Sequence, residues 1–223
     1  MSDGRRAFEA WLAEPSTLTP EQAQVVEGLE RDLAEHLSEK PRRLKHSLMV
    51  GRTAEALARH YGQDPFEARV AGVLHDWEKA ASNAETVAKA EELGIDLGVP
   101  LEDVSGLLHG LVAERTLKDR YPWLSAEVLQ AIGRHTLGAP DMAPLDMVLF
   151  VADGLEPTRP PVPALERQRD RVGKDPLDRL FLDSFLDGVA YVVDTRRYLY
   201  PGTLDVYNEL VRREPPQQER KAR

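Results

Sequence analysis

The stretch from Pro65 to Ala81 most constrains the fold, because its spacing predicts a helix buried on two sides. At about 100° per residue, one face carries Phe66, Val70, Val73, Leu74, Trp77 and Ala81, and the other carries Ala68, Ala71 and Gly72, followed by His75, Asp76 and Lys79. A helix with an apolar face and a small-residue face packs against neighbours on both. His75 and Asp76 should therefore lie in a close-packed interior, where ionisable groups need a metal or an opposite charge.

Helical periodicity also recurs along the rest of the chain, without strand alternation, a hairpin signal or an internal repeat. Helices are predicted from Thr19 to the break at Pro41, from Arg42 to Tyr61, from residue 83 to Gly94, over residues 104–112, after Ser125, from Leu145 to the break at Pro157, from Leu177 to Tyr198 and over residues 204–213. The proline-rich, charged segment 157–176 is predicted to be a lid or mobile loop. The predicted class is all-α, with 1–18 as an N-terminal extension, 19–213 as one domain and 214–223 as a polar tail.

Composition limits the class of protein further. The 223 residues are 42% hydrophobic, which supports one domain with a core. No cysteine occurs, which excludes disulfides, thiolate zinc sites and thiol catalysis. The net charge of −9 argues against nucleic acid as a partner and requires local cations to hold any anionic substrate. Because no long apolar run and no secretion signal are present, we expect a cytoplasmic protein that does not bind membranes.

Several polar residues fall on or beside stripes that should face the interior. The six potential metal ligands, from five predicted helices, are His46, His75, Asp76, His109, His135 and Asp153. The remaining histidines, His36 and His60, have polar neighbours and are predicted to lie on the surface.

Each potential ligand has a plainer explanation when it is taken alone. One histidine on an apolar stripe is more often a hydrogen-bonded core residue than a ligand. An unpaired buried carboxylate is harder to explain, because it is costly. Six such residues on separate inward faces favour a shared site. Imidazole and carboxylate without sulfur suit iron, manganese, cobalt or zinc, and Asp76 is placed to bridge two ions about 3.5–4 Å apart.

These residues also occur in sequence words that resemble a known family. The words are Arg43-x-x-His46-Ser47, His75-Asp76-Trp77-Glu78-Lys79, Leu108-His109-Gly110, His135-Thr136-Leu137-Gly138, Ala152-Asp153-Gly154-Leu155-Glu156-Pro157-Thr158-Arg159 and Tyr200-Pro201-Gly202-Thr203. Over residues 24–213 the chain resembles the HD-domain metal-dependent phosphohydrolase superfamily. The fourth and fifth words together are similar to its YqeK family, the symmetrical bis(5′-nucleosyl)-tetraphosphatases.

The resemblance implies an HD-domain helical bundle that binds two ions, with iron as the expected metal and manganese or cobalt as alternatives. One ion would be held by His46, His75, Asp76 and Asp153, and the other by Asp76, His109 and His135. The implied reaction cleaves diadenosine tetraphosphate to two ADP by attack of a metal-bound hydroxide, with Asp76, Lys79 and His109 as catalytic residues. Glu78 inserts a carboxylate into the His-Asp-x-x-Lys word and is predicted to point outward.

Candidate contacts to the substrate phosphates are Arg43, Lys79, Thr136, Gly138 and Arg159. The alternatives are a salt bridge with Asp76 for Lys79, a surface salt bridge for either arginine (with Glu156 in the case of Arg159), and a simple turn for the other two residues. The charged loop 160–175 would either cover the second nucleoside or be a solvated linker.

Two other functions remain open from the sequence. The chain could be a phosphohydrolase of the same superfamily that acts on mononucleotides, either dNTP or NMP. It could also be a non-catalytic nucleotide-sensing module, although a module that only binds has no need of all six ligands. In each case the partner is a small nucleotide, and a homo-oligomer is possible.

Overall fold

The structure, a computed structural model, describes residues 3–213, and every regular element in that range is helical, which confirms the predicted all-α class. The α-helices are α1 (Asp3–Ala13), α2 (Pro20–His36), α3 (Pro41–His60), α4 (Pro65–Leu74), α5 (Asn83–Glu92), α6 (His109–Arg120), α7 (Ala126–Arg134), α8 (Pro144–Leu155), α9 (Pro163–Arg171), α10 (Leu177–Asp194) and α11 (Gly202–Arg213). Two short 3-10 helices, Trp77–Ala80 and Leu101–Leu107, precede α5 and α6. The polar tail predicted for 214–223 lies outside the described residues. None of the helices within 3–213 combines the length and hydrophobicity that a membrane span needs.

Helix α4 packs against α2, α3, α7 and α8. Its residues 68–74 are all buried, as the two packed faces predict. A Cβ atom at Gly72 would lie 2.6 Å from the Cα atom of Gly51 in α3, so the two backbones touch at this point. This close approach brings the C-terminal end of α4 next to α3 and α8, where the candidate ligands lie.

The helix predicted over 65–81 is wrong in its length, because α4 ends at Leu74. Nδ1 of His75 donates a hydrogen bond of 2.7 Å to the carbonyl of Gly72. In a continuing α-helix, that carbonyl would accept from the N–H of Asp76. The backbone therefore leaves the helical path, and Asp76 adopts φ −100° and ψ 20° before the 3-10 helix begins.

The prediction that Glu78 points outward is also wrong. Its side chain is buried and accepts hydrogen bonds of 3.0 Å from Nζ of Lys89 and 2.7 Å from Oγ1 of Thr116. The change of path after α4 rotates the 3-10 helix relative to an uninterrupted helix, so Glu78 faces α5 and α6.

A similar interruption splits the helix predicted over 104–112. The structure has a 3-10 helix, Leu101–Leu107, and α6 starts only at His109. Nδ1 of His109 donates to the carbonyl of Gly106 at 3.1 Å, again the carbonyl three residues earlier. The two histidines thus help to set the helix boundaries around the site.

The segment 157–176 is not the loop or lid that its charge and proline content suggested. Residues 163–171 form α9, and Arg169 is 1% exposed. Its guanidinium donates to the carbonyls of Leu155 and Glu156 at 3.0 and 2.9 Å, at the end of α8, where carbonyls lack helical partners. The carbonyl of Glu156 also accepts from the N–H of Arg159. Helix α10 also ends before the predicted Tyr198, at Asp194.

The N-terminal helix α1 packs on α9 and α3. Phe8 is 2% exposed and belongs to the main hydrophobic core. The ring of Trp11 stacks on His60, with 3.5 Å between the ring centroids. The predicted extension 1–18 therefore contributes side chains to the core of the domain that it precedes.

Candidate metal centre

The structure brings the six potential ligands to one place, where five helical segments meet. They are His46 in α3, His75 and Asp76 after α4, His109 at the start of α6, His135 directly after α7 and Asp153 in α8. The four histidines and Asp76 are all buried. The two histidines predicted to lie on the surface, His36 and His60, are exposed, and each ring stacks on a tryptophan.

Asp76 lies between two groups of candidate ligand atoms. Its Oδ2 atom is 3.6 Å from Nε2 of His46 and 3.4 Å from Nε2 of His75. Its Oδ1 atom is 3.1 Å from Nε2 of His109, which in turn is 3.0 Å from Nε2 of His135. The first group consists of His46, His75 and Asp76, and the second consists of Asp76, His109 and His135. Within each group the three candidate atoms lie within 4.8 Å of one another. One carboxylate therefore offers an oxygen to each group.

Asp153 adds a second carboxylate beside the first group. Its Oδ1 atom lies 3.0 Å from Nε2 of His46 and 3.8 Å from Nε2 of His75. Asp153 thus lies next to both imidazoles of the first group and could add a second carboxylate to it. The second group, as described, has two imidazoles and the shared carboxylate of Asp76.

In every imidazole of the cluster, Nδ1 contacts an acceptor outside the cluster. The acceptors are the carbonyls of Gly72 for His75 (2.7 Å), Gly106 for His109 (3.1 Å) and Ile132 for His135 (2.7 Å), and Oε1 of Glu156 for His46 (3.0 Å). A carbonyl can only accept. The proton of the His75, His109 and His135 rings therefore resides on Nδ1, and Nε2 of each presents its lone pair to the cluster. A metal ligand needs this tautomer, held by this kind of outer hydrogen bond.

The inward-facing atoms fit divalent cations. Among the described residues, the buried Nε2 atom of His75 has no hydrogen-bond partner, and Nε2 of His46 faces the carboxylates of Asp153 and Asp76. The Nε2 atoms of His109 and His135 face each other at 3.0 Å, so two lone pairs would meet unless a cation or proton intervenes. Buried acceptors without a donor are costly. The nitrogen and carboxylate donors suit iron, manganese, cobalt or zinc.

The pKa values of the second group favour its ligand forms. Burial lowers the pKa of His109, and burial together with the neighbouring imidazoles lowers the pKa of His135 to about 3. Burial acts to raise the pKa of Asp76, but the adjacent His75 and His109 outweigh it and hold that pKa well below its usual value. Near neutral pH the group therefore offers two neutral imidazoles and a carboxylate.

Two arginines pair with the carboxylates of the cluster. Nη1 of Arg43 lies 2.5 Å from Oδ2 of Asp76, and Nη2 of Arg159 lies 2.5 Å from Oδ1 of Asp153. Arg159 thus pairs with Asp153, where the alternative suggested by the sequence was Glu156. Burial opposes ionisation of Asp153, but His46 and Arg159 outweigh it and lower its pKa. The side chains of Arg43 and Arg159 are each more than a third exposed, so both can reach a ligand.

The other predicted substrate contacts have different surroundings. Nζ of Lys79 donates to the carbonyl of Gly106 at 3.2 Å, and burial lowers the pKa of Lys79. The hydroxyl of Thr136 faces the second group of ligands. The N–H of Gly138 donates to the carbonyl of Arg134 at 2.9 Å, with φ +69°, so this residue forms the turn that was its plainer alternative.

Glu156 is a site residue that the sequence analysis did not identify. It is 1% exposed, and its Oε1 atom accepts from Nδ1 of His46 at 3.0 Å. The N–H of Thr158 donates to Oε2 at 2.6 Å and completes its surroundings. Glu156 follows Asp153 by three residues, a spacing that places both on one helix face, so the signal was present.

A cationic cavity of about 690 Å³ adjoins the first group, at His46. Its basic lining residues are Lys40, Arg42, Arg43, Lys45 and Arg159. In a protein of net charge −9, this is a local concentration of positive charge beside the cluster.

Comparison with known proteins places this fold and site in a family. The family model described as HD domain matches residues 43–158, and the chain belongs to the HD domain family. A crystal structure of a predicted HD superfamily hydrolase involved in NAD metabolism, from Clostridium acetobutylicum, has a TM-score of 0.76 to this chain and 32% sequence identity. The alignment covers 84% of this chain and 97% of that one.

Curated relatives carry a more specific name. A protein of Staphylococcus aureus named symmetrical bis(5′-nucleosyl)-tetraphosphatase is 33% identical over 82% of this chain and 93% of its own length. A protein of the same name from Halalkalibacterium halodurans is 30% identical over 79% of this chain and 91% of its own. The resemblance seen in the sequence words is confirmed at the level of the family.

Proposed function

We propose that this protein is a metal-dependent hydrolase that cleaves diadenosine tetraphosphate symmetrically to two ADP. The observation that carries the proposal is the pair of ligand groups joined by Asp76, in a chain whose relatives over most of its length bear the name of that activity. A nucleotide-sensing module would not need two adjacent groups of ligand atoms joined by one carboxylate.

The cofactor that we propose is two metal ions, one in each group, with iron as the expected metal and manganese or cobalt as alternatives. When bound, such ions lower the pKa of a water molecule and neutralise charge on phosphoryl oxygens. Asp76 would contribute to both sites because its two oxygens face different groups. The outer hydrogen bonds to the imidazoles fix the ligand orientations before any ion binds.

The chain's own cations then orient the substrate. Arg43 and Arg159 each use one nitrogen on a carboxylate of the cluster and keep others for phosphate oxygens. Lys79 holds its ammonium beside the second group through the carbonyl of Gly106, so it can contact the phosphoryl group between the two ligand sets. The hydroxyl of Thr136 is placed to donate to the same group. The cationic cavity can accommodate the phosphates that extend from this phosphoryl group.

The direct test of this function is the product pattern. Purified protein, loaded with iron, manganese or cobalt, should convert diadenosine tetraphosphate to ADP alone. AMP plus ATP would mean asymmetric cleavage, and faster turnover of dNTPs or nucleoside monophosphates would favour a mononucleotide phosphohydrolase. Absence of turnover with every one of these metals would contradict the proposal.

A variant separates catalysis from simple binding. His135→Ala should abolish turnover and reduce the metal content measured by elemental analysis, while ADP still binds through the cationic cavity. A sensing module would instead lose no activity, because it would have none in the unmodified protein.

We also propose the wider setting that the sequence suggests. The HD domain comprises residues 19–213, with 1–18 as an N-terminal extension docked on it, and the protein acts in the cytoplasm on a small nucleotide. Light scattering of the purified protein measures whether it forms a homo-oligomer.

A further inference from the structure

A second cavity, of about 370 Å³, borders the second ligand group, whereas the cationic cavity borders the first. Thr136 and Gly106 lie in its wall. Oγ1 of Thr136 is 3.1 Å from Nε2 of His135 and 3.4 Å from Nε2 of His109. The carbonyl of Gly106 accepts from Lys79. The cavity therefore adjoins the second ligand group, with Thr136 between its interior and the ligand atoms.

The wall of this cavity differs chemically from that of the cationic cavity. Of its described lining residues, only Asp103 and Arg197 are charged. Most of the others are aliphatic or aromatic, and they include Phe185 of α10, Tyr198 and Tyr200. Such a surface suits a flat heterocycle, because bases stack on aromatic side chains and bury apolar area. It offers little to a polyphosphate.

The end of α10 builds this wall. Arg196 adopts a left-handed conformation, with φ +53°, at the position where a helix commonly ends. The N–H groups of Arg196 and Arg197 donate to the carbonyls of Val193 and Val192 at 3.0 Å each. This motif stops the helix and reverses the chain, so Tyr198 and Tyr200 face the cavity from the segment before α11.

We propose that this cavity binds one nucleoside of the dinucleoside polyphosphate, and that the phosphates and the second nucleoside extend into the cationic cavity. The proposal rests on the proposed function and specifies how that substrate lies. A symmetric substrate has two identical halves, but a single chain presents a different surface to each half. The volume is at the lower end of the range for small-molecule sites, about 300 Å³ upwards, and therefore suits one nucleoside and not two.

Gly188 in α10 allows a clean test. It lines the cavity, and a Cβ atom added there would meet nothing within 4 Å, so a larger side chain can enter the cavity without a clash at its base. Gly188→Leu should raise the KM for diadenosine tetraphosphate and weaken ADP binding by about 5- to 150-fold, the range for the loss of one stacked base. Inhibition by inorganic triphosphate and the metal content should not change.

A matched control is Gly28→Leu. Gly28 lies within α2, where an added Cβ atom would meet only the end of Arg31 at 3.9 Å. This variant should keep the KM and the ADP affinity of the unmodified protein. Tyr198→Ala provides a second, independent change in the cavity, because Tyr198 is 48% exposed and its truncation does not open the core. It should weaken ADP binding in the same direction as Gly188→Leu.

The outcomes separate this inference from the proposed function. If the protein cleaves diadenosine tetraphosphate but Gly188→Leu and Tyr198→Ala leave the KM and ADP affinity unchanged, the nucleoside does not bind here and the inference is wrong. If the protein shows no turnover yet both variants weaken ADP binding measured by calorimetry, the proposed function fails and the nucleoside site stands. An equal loss of inorganic triphosphate inhibition would also overturn the inference, because it would place phosphate in this cavity.

Discussion

Individual hydrogen bonds fix the orientation of the imidazole rings in the cluster before any ion binds. Three of its imidazoles donate from Nδ1 to the carbonyl three residues earlier, at Gly72, Gly106 and Ile132. His46 lies inside α3, where the helix uses its own carbonyls, and it donates instead to the buried carboxylate of Glu156. At Nδ1, His46 therefore has a titratable partner, whereas the other three rings have a backbone carbonyl there.

This difference predicts a pH dependence for the metal-free protein. Burial lowers the pKa of His46, but the carboxylates of Asp153 and Glu156 outweigh it and raise the pKa from 6.5 to about 9. The folded state thus binds a proton that the unfolded state releases between these values, so the free energy of unfolding should fall as pH rises from 6.5 to 9. A ligand must be deprotonated, so metal affinity should rise over the same interval.

The test compares Glu156→Gln with Glu209→Gln. The first change keeps the size of the side chain but removes one charge beside His46. It should therefore reduce the pH dependence of both the free energy of unfolding and the metal affinity. Glu209 pairs with Arg213 on α11, and its change should have no effect on either. Urea unfolding across this pH interval and calorimetric metal titration in buffers of different ionisation enthalpy provide the measurements. Equal pH slopes in the two variants would contradict the assignment.

At the scale of elements, the periodicity of apolar residues predicted which segments are helical and which faces are buried. It could not predict where α4 ends, because that boundary depends on the side chain of His75 capturing a carbonyl that the helix would otherwise use. Glu78 was placed on the wrong side for the same reason. Helix α9 was missed because its charged composition hides Arg169, whose burial depends on acceptors at the end of another helix.

Arg169 gives a prediction for the contact between α8 and α9. Its guanidinium satisfies two carbonyls at the end of α8 and pairs with Glu166 at 2.6 Å, while the neighbouring Arg167 has a side chain that is 66% exposed. Arg169→Met should lower the free energy of unfolding by about 2–4 kcal/mol, because it leaves the carbonyl of Leu155 without a donor and removes the partly buried ion pair with Glu166. Arg167→Met on the same helix should change it by less than about 0.5 kcal/mol.

Urea denaturation of these two variants distinguishes a structural helix from a solvated linker. In a linker the two arginines would be equivalent, and equal small effects would show that α9 does not pack as described. Because Glu156 follows directly on the carbonyl of Leu155, Arg169→Met should also weaken metal binding at the group that contains His46, which a titration with manganese would detect.

At the scale of the whole molecule, charge and burial are distributed unevenly. The chain carries a net charge of −9, yet the cavity next to His46 is lined by five basic residues, so positive charge is concentrated where an anionic polyphosphate would bind. The six candidate ligands could be predicted from the sequence because each lies on or beside a helix face that should turn inward. The second cavity could not, since it depends on the chain reversal at Arg196.

The N-terminal helix tests how far the domain extends beyond the residues that the HD domain family model covers. Phe8 is 2% exposed in the main core, and Arg5 of the same helix pairs with Glu166 of α9 at 3.1 Å. Phe8→Ala should lower the free energy of unfolding by about 3–5 kcal/mol, through lost burial and the cavity that remains. Leu204→Ala, at a residue that is 53% exposed, should have little effect.

Thermal unfolding of the two variants gives the measurement, and Phe8→Leu, which keeps most of the volume, should recover much of the loss. If α1 were only an appendage, Phe8→Ala would leave the main transition unchanged and would affect only the N-terminal segment. A single, cooperative transition shifted to lower temperature would instead mean that α1 unfolds together with the helices that hold the cluster. The packing of α1 would then help to hold α9, and through Arg169 of α9 also Glu156, in place.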